Sequence, residues 1–169
     1  MSDAKSFSGE GGYSMRRKDR EVRDPALQRE ILDRCKVLSL AMADENRPYV
    51  VPLSFGYEWK DRLTLYCHCA TQGRKIDVLA KNPSVCFSLY CDDQIVEGPK
   101  ACDYGTTYSS LIGEGTVRFV RDEDEKRAGL IALMRQYTGS EAFAFSAADL
   151  AHVAVLAIDV SALSGKRKA

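Results

Sequence analysis

Between Val37 and Val160 the chain carries six short runs of apolar, β-branched and aromatic residues, each bounded by polar turn-forming stretches. Runs of this length and composition form strands, and six strands must be arranged so that their edges do not stay open. The clearest is RLTLYCHC, Arg62 to Cys69, which alternates with period two. Leu63, Leu65, Cys67 and Cys69 fall on one face, and Thr64, Tyr66 and His68 on the other. VLSLAMA (Val37 to Ala43) and PYVVPLSFGYE (Pro48 to Glu58), joined by the polar DENRP, read as a hairpin. Pro52 interrupts its second strand, and a proline cannot donate to a ladder. An edge, a bulge or a ligand is therefore expected there. The remaining strands are Ser84 to Cys91, Thr107 to Val120 and His152 to Val160, with a long polar connection after Cys91. Gly113 and Gly115 suit a bend or bulge of the kind small barrels use.

Helices separate these runs. Asp24 and Pro25 form an N-cap and first turn, and Leu27, Ile31 and Leu32 then share one face of a helix ending near Cys35. A short helix is expected from Gly73 to Lys81, with Ile76, Leu79 and Ala80 apolar, and Asn82-Pro83 stops it. The strongest helical signal is Asp122 to Gly139: acidic residues crowd its first turn, Leu130, Leu133 and Met134 make the buried stripe, and Gly139 ends it. The pattern predicts an α+β, mainly β domain: a six-stranded, mostly antiparallel, closed or split β-barrel with flanking helices. Its 169 residues suit one domain. Residues 1–14, rich in Ser and Gly, are expected to be a disordered tail preceding a domain over residues 15–169, and MRRKDREVRD a solvated arm.

The 24 basic and 24 acidic residues balance, so no global field draws the protein to nucleic acid or an anionic membrane. Any anion must be held locally. With no apolar run near bilayer length and no signal-peptide core, the expected location is the cytoplasm. The six cysteines lie mostly within apolar strands, the distribution of reduced, buried thiols.

One stretch, LYCHCATQGRKIDVLAKNP (Leu65 to Pro83), concentrates chemically active residues. Metal binding fits poorly, because consecutive Cys67, His68 and Cys69 on a strand cannot converge on one ion, and no partner pair has zinc spacing. Disulfide exchange fits poorly too, since same-face cysteines two apart on a strand sit about 7 Å apart. A phosphate cradle has a mechanism: a strand, a short turn with Thr71 and Gly73, then a helix start bearing Arg74 and Lys75. Free N–H groups, the helix dipole and two cations meet there. The same pair also suits plain solvated surface, and these residues alone leave both open.

The order MRRKDRE (Met15 to Glu21), VVPLSFGYE (Val50 to Glu58), LYCHCATQGRKIDVLAKNP, YSSLIGEGTVRFV and IDVSALSGKRK resembles the nitroimidazole-resistance branch of the pyridoxamine 5′-phosphate oxidase-related, FMN-binding split-barrel superfamily, from Met15 to Lys168. The resemblance implies a homodimer with two FMN sites at the subunit interface. It assigns the strand Val51, Pro52, Leu53 and Ser54 to the isoalloxazine ring. His68, Cys69, Ala70, Arg74 and Lys75 would hold the ring edge, ribityl chain and phosphate, and Tyr108, Ser109 and Ser110 would come from the partner subunit. His68 matches a position given a role in chemistry, with simple packing beside the cofactor as the alternative. His152 is expected to be structural. Cys69 replaces a small residue, and the Arg-rich C-terminal segment of true pyridoxamine phosphate oxidases is missing here, which argues against that reaction. The implied activity is that of an FMN-dependent flavin reductase or nitroreductase. It would pass electrons to a small electrophilic acceptor, and any nicotinamide nucleotide would bind transiently, because no dinucleotide fingerprint is present. The alternative is a flavin or haem carrier or sensor on the same barrel, and a deazaflavin could replace FMN.

Overall fold

The computed structural model describes residues 15–169. The expected disordered tail, residues 1–14, lies outside the described residues. The elements run β1 (Glu21–Val22), α1 (Pro25–Arg34), β2 (Val37–Asp44), β3 (Arg47–Trp59), β4 (Leu63–Cys69), α2 (Arg74–Lys81), β5 (Ser84–Val96), β6 (Gly105–Phe119), α3 (Glu123–Thr138), α4 (Ala147–Ala151) and β7 (Ala154–Lys168). All described pairings are antiparallel, in the order β1-β7-β4-β3-β2-β5-β6, and β6 pairs back onto β7. That last pairing closes six strands into a ring. The barrel is the expected one, but the stretch expected as a solvated arm is not wholly so: its Glu21–Val22 pairs with the terminal strand as β1, a seventh strand outside the ring, because Val22 is buried there.

Two further differences from expectation have physical causes. The terminal strand does not stop at Val160 but runs on through the polar SALSGKRK to Lys168, because β6 and β1 both supply ladder partners for it. β5 likewise continues past Cys91 to Val96, across a bulge at which Asp92 takes φ 63°. Between Glu114 and Gly115 the β6–β7 register shifts, which is the irregularity the glycines foretold.

The barrel interior is filled by Leu38, Leu40, Phe55, Leu65, Phe87, Leu111 and Ile158, all essentially without solvent contact. α1 closes one end with Ile31 and Leu32, and α2 contributes Val78 and Leu79. A second cluster lies outside the wall, where Tyr66, Val155 and Ala157 meet Leu130 and Ala132 of α3 and Leu150 of α4. In α3 the buried stripe is Gly129, Leu130, Ala132, Leu133 and Gln136, and Met134 is only half-buried. The helix is drawn in by Gly56 of β3: a Cβ there would lie 2.3 Å from backbone atoms of Ala132 and Leu133. Buried Gln136 then ties α3 to the end of α1, its amide donating to the carbonyls of Leu32 and Cys35 at 2.6 Å each.

One outer face carries no helix. Pro52, Ser39, Ser88 and Ile112 are successive cross-strand partners on β3, β2, β5 and β6, and all four are exposed.

Candidate functional site

β3 and β4 pair only from Phe55↔Cys67 to Trp59↔Leu63. Continuing that register would set Ser54 against His68 and Leu53 against Cys69, but neither pair forms, and β4 instead keeps β7 as its neighbour to its end. The strands part, and residues 47–54 of β3 pair on one side only, with β2. Pro52 lies in this half-paired segment, which is the open edge its missing N–H called for.

The turn after β4 and the start of α2 run along that opening. Gly73 caps the helix with φ 124°, a conformation that costs other residues strain. It offers no side chain, while its carbonyl accepts from the amides of Ile76 at 2.8 Å and Asp77 at 3.2 Å. No cap hydrogen bond shields the amides of Arg74 and Lys75, which point out of the first turn. Free amides, the positive end of the helix and the Arg74 guanidinium thus meet beside an open strand edge, with Lys75 in the same first turn, and this donor set suits a phosphate monoester.

The side chains there are already arranged. The guanidinium of Arg74 donates from Nη2 and Nε to Asp44 Oδ2 at 3.1 and 3.4 Å, and lies over the Tyr49 ring, 4.3 Å from its centroid. Lys75 turns the other way, toward the thiols of Cys67 and Cys69. Burial pushes the Cys67 thiol up to about 12 and raises that of Cys69, while the Lys75 charge opposes both shifts. Burial wins, so both stay protonated at neutral pH and neither is a poised nucleophile.

The alternation read in β4 holds. Leu63, Leu65 and Cys67 face the barrel core with Cys69 against it, Tyr66 faces α3, and His68 is exposed. His68 and Lys75 therefore flank the opening from opposite faces of the sheet. Val51 and Leu53 send partly buried side chains to the core and Pro52 is exposed. Ser54 Oγ is hydrogen-bonded to the Tyr137 hydroxyl of α3 at 2.7 Å. Ala70 lies exposed in the turn.

Ser109 does not join this group within one subunit. It is buried on β6 opposite Cys91, accepts from Arg167 Nε at 3.2 Å, and lies past the Val37 end of β2, whereas Arg74 sits at the Asp44 end. Those eight residues span on the order of 20 Å. An open depression of about 550 Å³ elsewhere is lined by Arg62, Thr64, Arg118 and Asp159. Its Arg118 is taken up by Glu125 and Asp159.

Asp44 and Tyr49 escaped the sequence reading. Asp44 opens the DENRP stretch and Tyr49 directly follows it, but nothing local brings them to Arg74, 25 or more residues later.

The sequence model of the pyridoxamine 5′-phosphate oxidase family matches residues 24–167. No curated protein matches. Among solved structures, a candidate 5-nitroimidazole antibiotic resistance protein from Bacteroides thetaiotaomicron is 32% identical, with TM-score 0.76 over 87% of this chain and 86% of that one. The flavocytochrome Anf3 of Azotobacter vinelandii, 19% identical, superposes with TM-score 0.77 over 93% of this chain and 73% of its own. An FAD and haem binding protein of Mycobacterium smegmatis, 21% identical, gives 0.75 over 88% and 73%. The last two share the fold; the first shares sequence as well.

Proposed function

The chain belongs to the pyridoxamine 5′-phosphate oxidase family, and from that footing we propose that it is an FMN-binding oxidoreductase of the flavin-reductase or nitroreductase type, acting as a homodimer on a small electrophilic acceptor. The observation that carries the proposal is the notch itself: an uncapped, doubly cationic helix start lying along a strand edge that pairs on one side only.

In this reading the amides at the start of α2, with Arg74 and Lys75, hold the phosphate. The open edge of Val51 to Ser54 lies along the ring system, with Cys69 and Ala70 beside the ribityl chain. When bound, FMN supplies two-electron chemistry, accepting electrons from a donor such as a nicotinamide nucleotide and passing them to the acceptor. His68, exposed at the mouth of the split, can offer either ring nitrogen to an acceptor as a hydrogen-bond partner or proton source. The exposed row of Pro52, Ser39, Ser88 and Ile112 favours a second copy as the cover for that face, because the two serines are short and Ile112 is an exposed apolar group that a partner would bury. A partner seated there would also exclude water from the ring. Ser109 and its neighbours would then enter from the other subunit, which accounts for their distance from Arg74 within one chain.

Flavin binding by the purified protein tests this. Wild type should take up FMN and turn yellow. Arg74→Ala with Lys75→Ala should weaken binding by roughly 3 kcal/mol or more, since charge-assisted contacts contribute about 1.5–3 kcal/mol each. His68→Ala should retain FMN and lose turnover. A double variant with full flavin occupancy would place the phosphate elsewhere. A second reading, haem binding, is favoured only by the exposure of His68. A Soret band on adding haemin that His68→Ala abolishes would decide for it.

A further inference from the structure

The guanidinium of Arg74 is held on two sides by the protein itself. Asp44 Oδ2 takes its Nε and Nη2 edge at 3.4 and 3.1 Å, and the Tyr49 ring supports its face at 4.3 Å. Among the described residues Nη1 makes no hydrogen bond, so one edge of the fork stays available. Asp44 ends β2 opposite Arg47, and Tyr49 lies two residues further along β3, opposite Met42, so the hairpin sets the two holding groups. Arg74 is 54% exposed and without them would sample many rotamers.

We infer that Asp44 and Tyr49 are positioning residues for Arg74 and thereby set the preference of the notch for phosphorylated over unphosphorylated flavin. The inference rests on the FMN reading above and adds to it a role for two residues that do not themselves touch the phosphate. It makes a prediction of unexpected sign. By simple charge counting, Asp44 halves the positive charge of Arg74 and Lys75, and removing it should tighten anion binding. If orientation dominates, removing it should loosen binding instead, because the fork must then be ordered at the moment of contact.

The test compares dissociation constants for FMN and riboflavin, measured by flavin fluorescence on the full chain. Riboflavin lacks the phosphate, so a general loss of structure weakens both ligands, whereas loss of positioning weakens FMN alone. Wild type should prefer FMN strongly. Asp44→Ala and Tyr49→Leu should each cut that preference about tenfold with riboflavin affinity unchanged, and Tyr49→Phe, which keeps the ring, should restore it. FMN binding by Asp44→Ala that equals or exceeds wild type would overturn the inference while leaving the notch intact, provided Arg74→Ala still abolishes the preference. A wild-type protein with no preference for FMN over riboflavin would overturn the notch reading and this inference together.

Discussion

At the scale of single residues, five positions show how far local chemistry reaches. His68 and Tyr66 were assignable to one face of β4, opposite Cys67 and Cys69, from alternation alone, because a strand leaves a side chain only two directions. Asp44 and Tyr49 were not, since their meeting with Arg74 depends on how far β3 and β4 stay paired. Gly56 was equally silent: nothing in SFGYE marks it as the place where a helix backbone comes within reach of a strand. Its consequence is testable. Gly56→Ala puts a methyl group 2.3 Å from the backbone of Ala132 and Leu133, and neither helix nor sheet can yield cheaply. The substitution should cost about 2–3 kcal/mol or more, read as a lowered midpoint in urea. A midpoint equal to wild type would mean that α3 does not seat on β3 as described.

At the scale of elements, apolar runs between turn signals located all six barrel strands, one of them by period-two alternation, and caps, apolar faces and stop signals located α1, α2 and α3. Gly139 takes φ 75°, as the glycine stop read for α3 required, and Asp122, not read as a cap, accepts from the Glu125 amide at 2.8 Å. What escaped were pieces without a period. β1 has two residues, and the continuations of β5 and β7 are polar stretches that ladder partners hold in extended form. α4 had a signal that went unread, the box in which the side chains of Ser146 and Asp149 each accept from the other's backbone amide. Contacts between elements also rest on few atoms. Gln136 alone satisfies the carbonyls of Leu32 and Cys35 at the end of α1. Gln136→Leu keeps the volume roughly but leaves both acceptors buried without a donor, and should lower stability by about 1–3 kcal/mol by chemical denaturation. An unchanged denaturation curve would contradict this coupling of α1 to α3.

At the scale of the whole molecule, ring closure through β6 and β7 follows from the strand count only as one option among several. The split that makes the notch is a matter of where one pairing stops. The titration of the whole follows from its held groups. The Arg118 guanidinium holds the Glu125 carboxyl below its ordinary range, and hydrogen bonding from Ser109 does the same for Asp92. Both contribute stability that is present above the unfolded carboxylate range and lost as pH falls through their folded values. The buried Cys67 thiol, raised to about 12, works at the other limit: stability is full below the ordinary thiol range and declines as pH climbs from about 9 toward 12. Thermal melts should therefore show a plateau near neutrality with losses on both sides. A midpoint that held constant into acid and alkali alike would contradict these assignments.

The most direct measurement is a crystal structure grown with FMN. It should show a phosphate bonded to the free amides at the start of α2 and to Arg74 and Lys75, with the ring along Val51 to Ser54 and a second subunit over the row from Pro52 to Ile112. A phosphate bound elsewhere, or a flavin-free notch at saturating FMN, would contradict the assignment of this cleft.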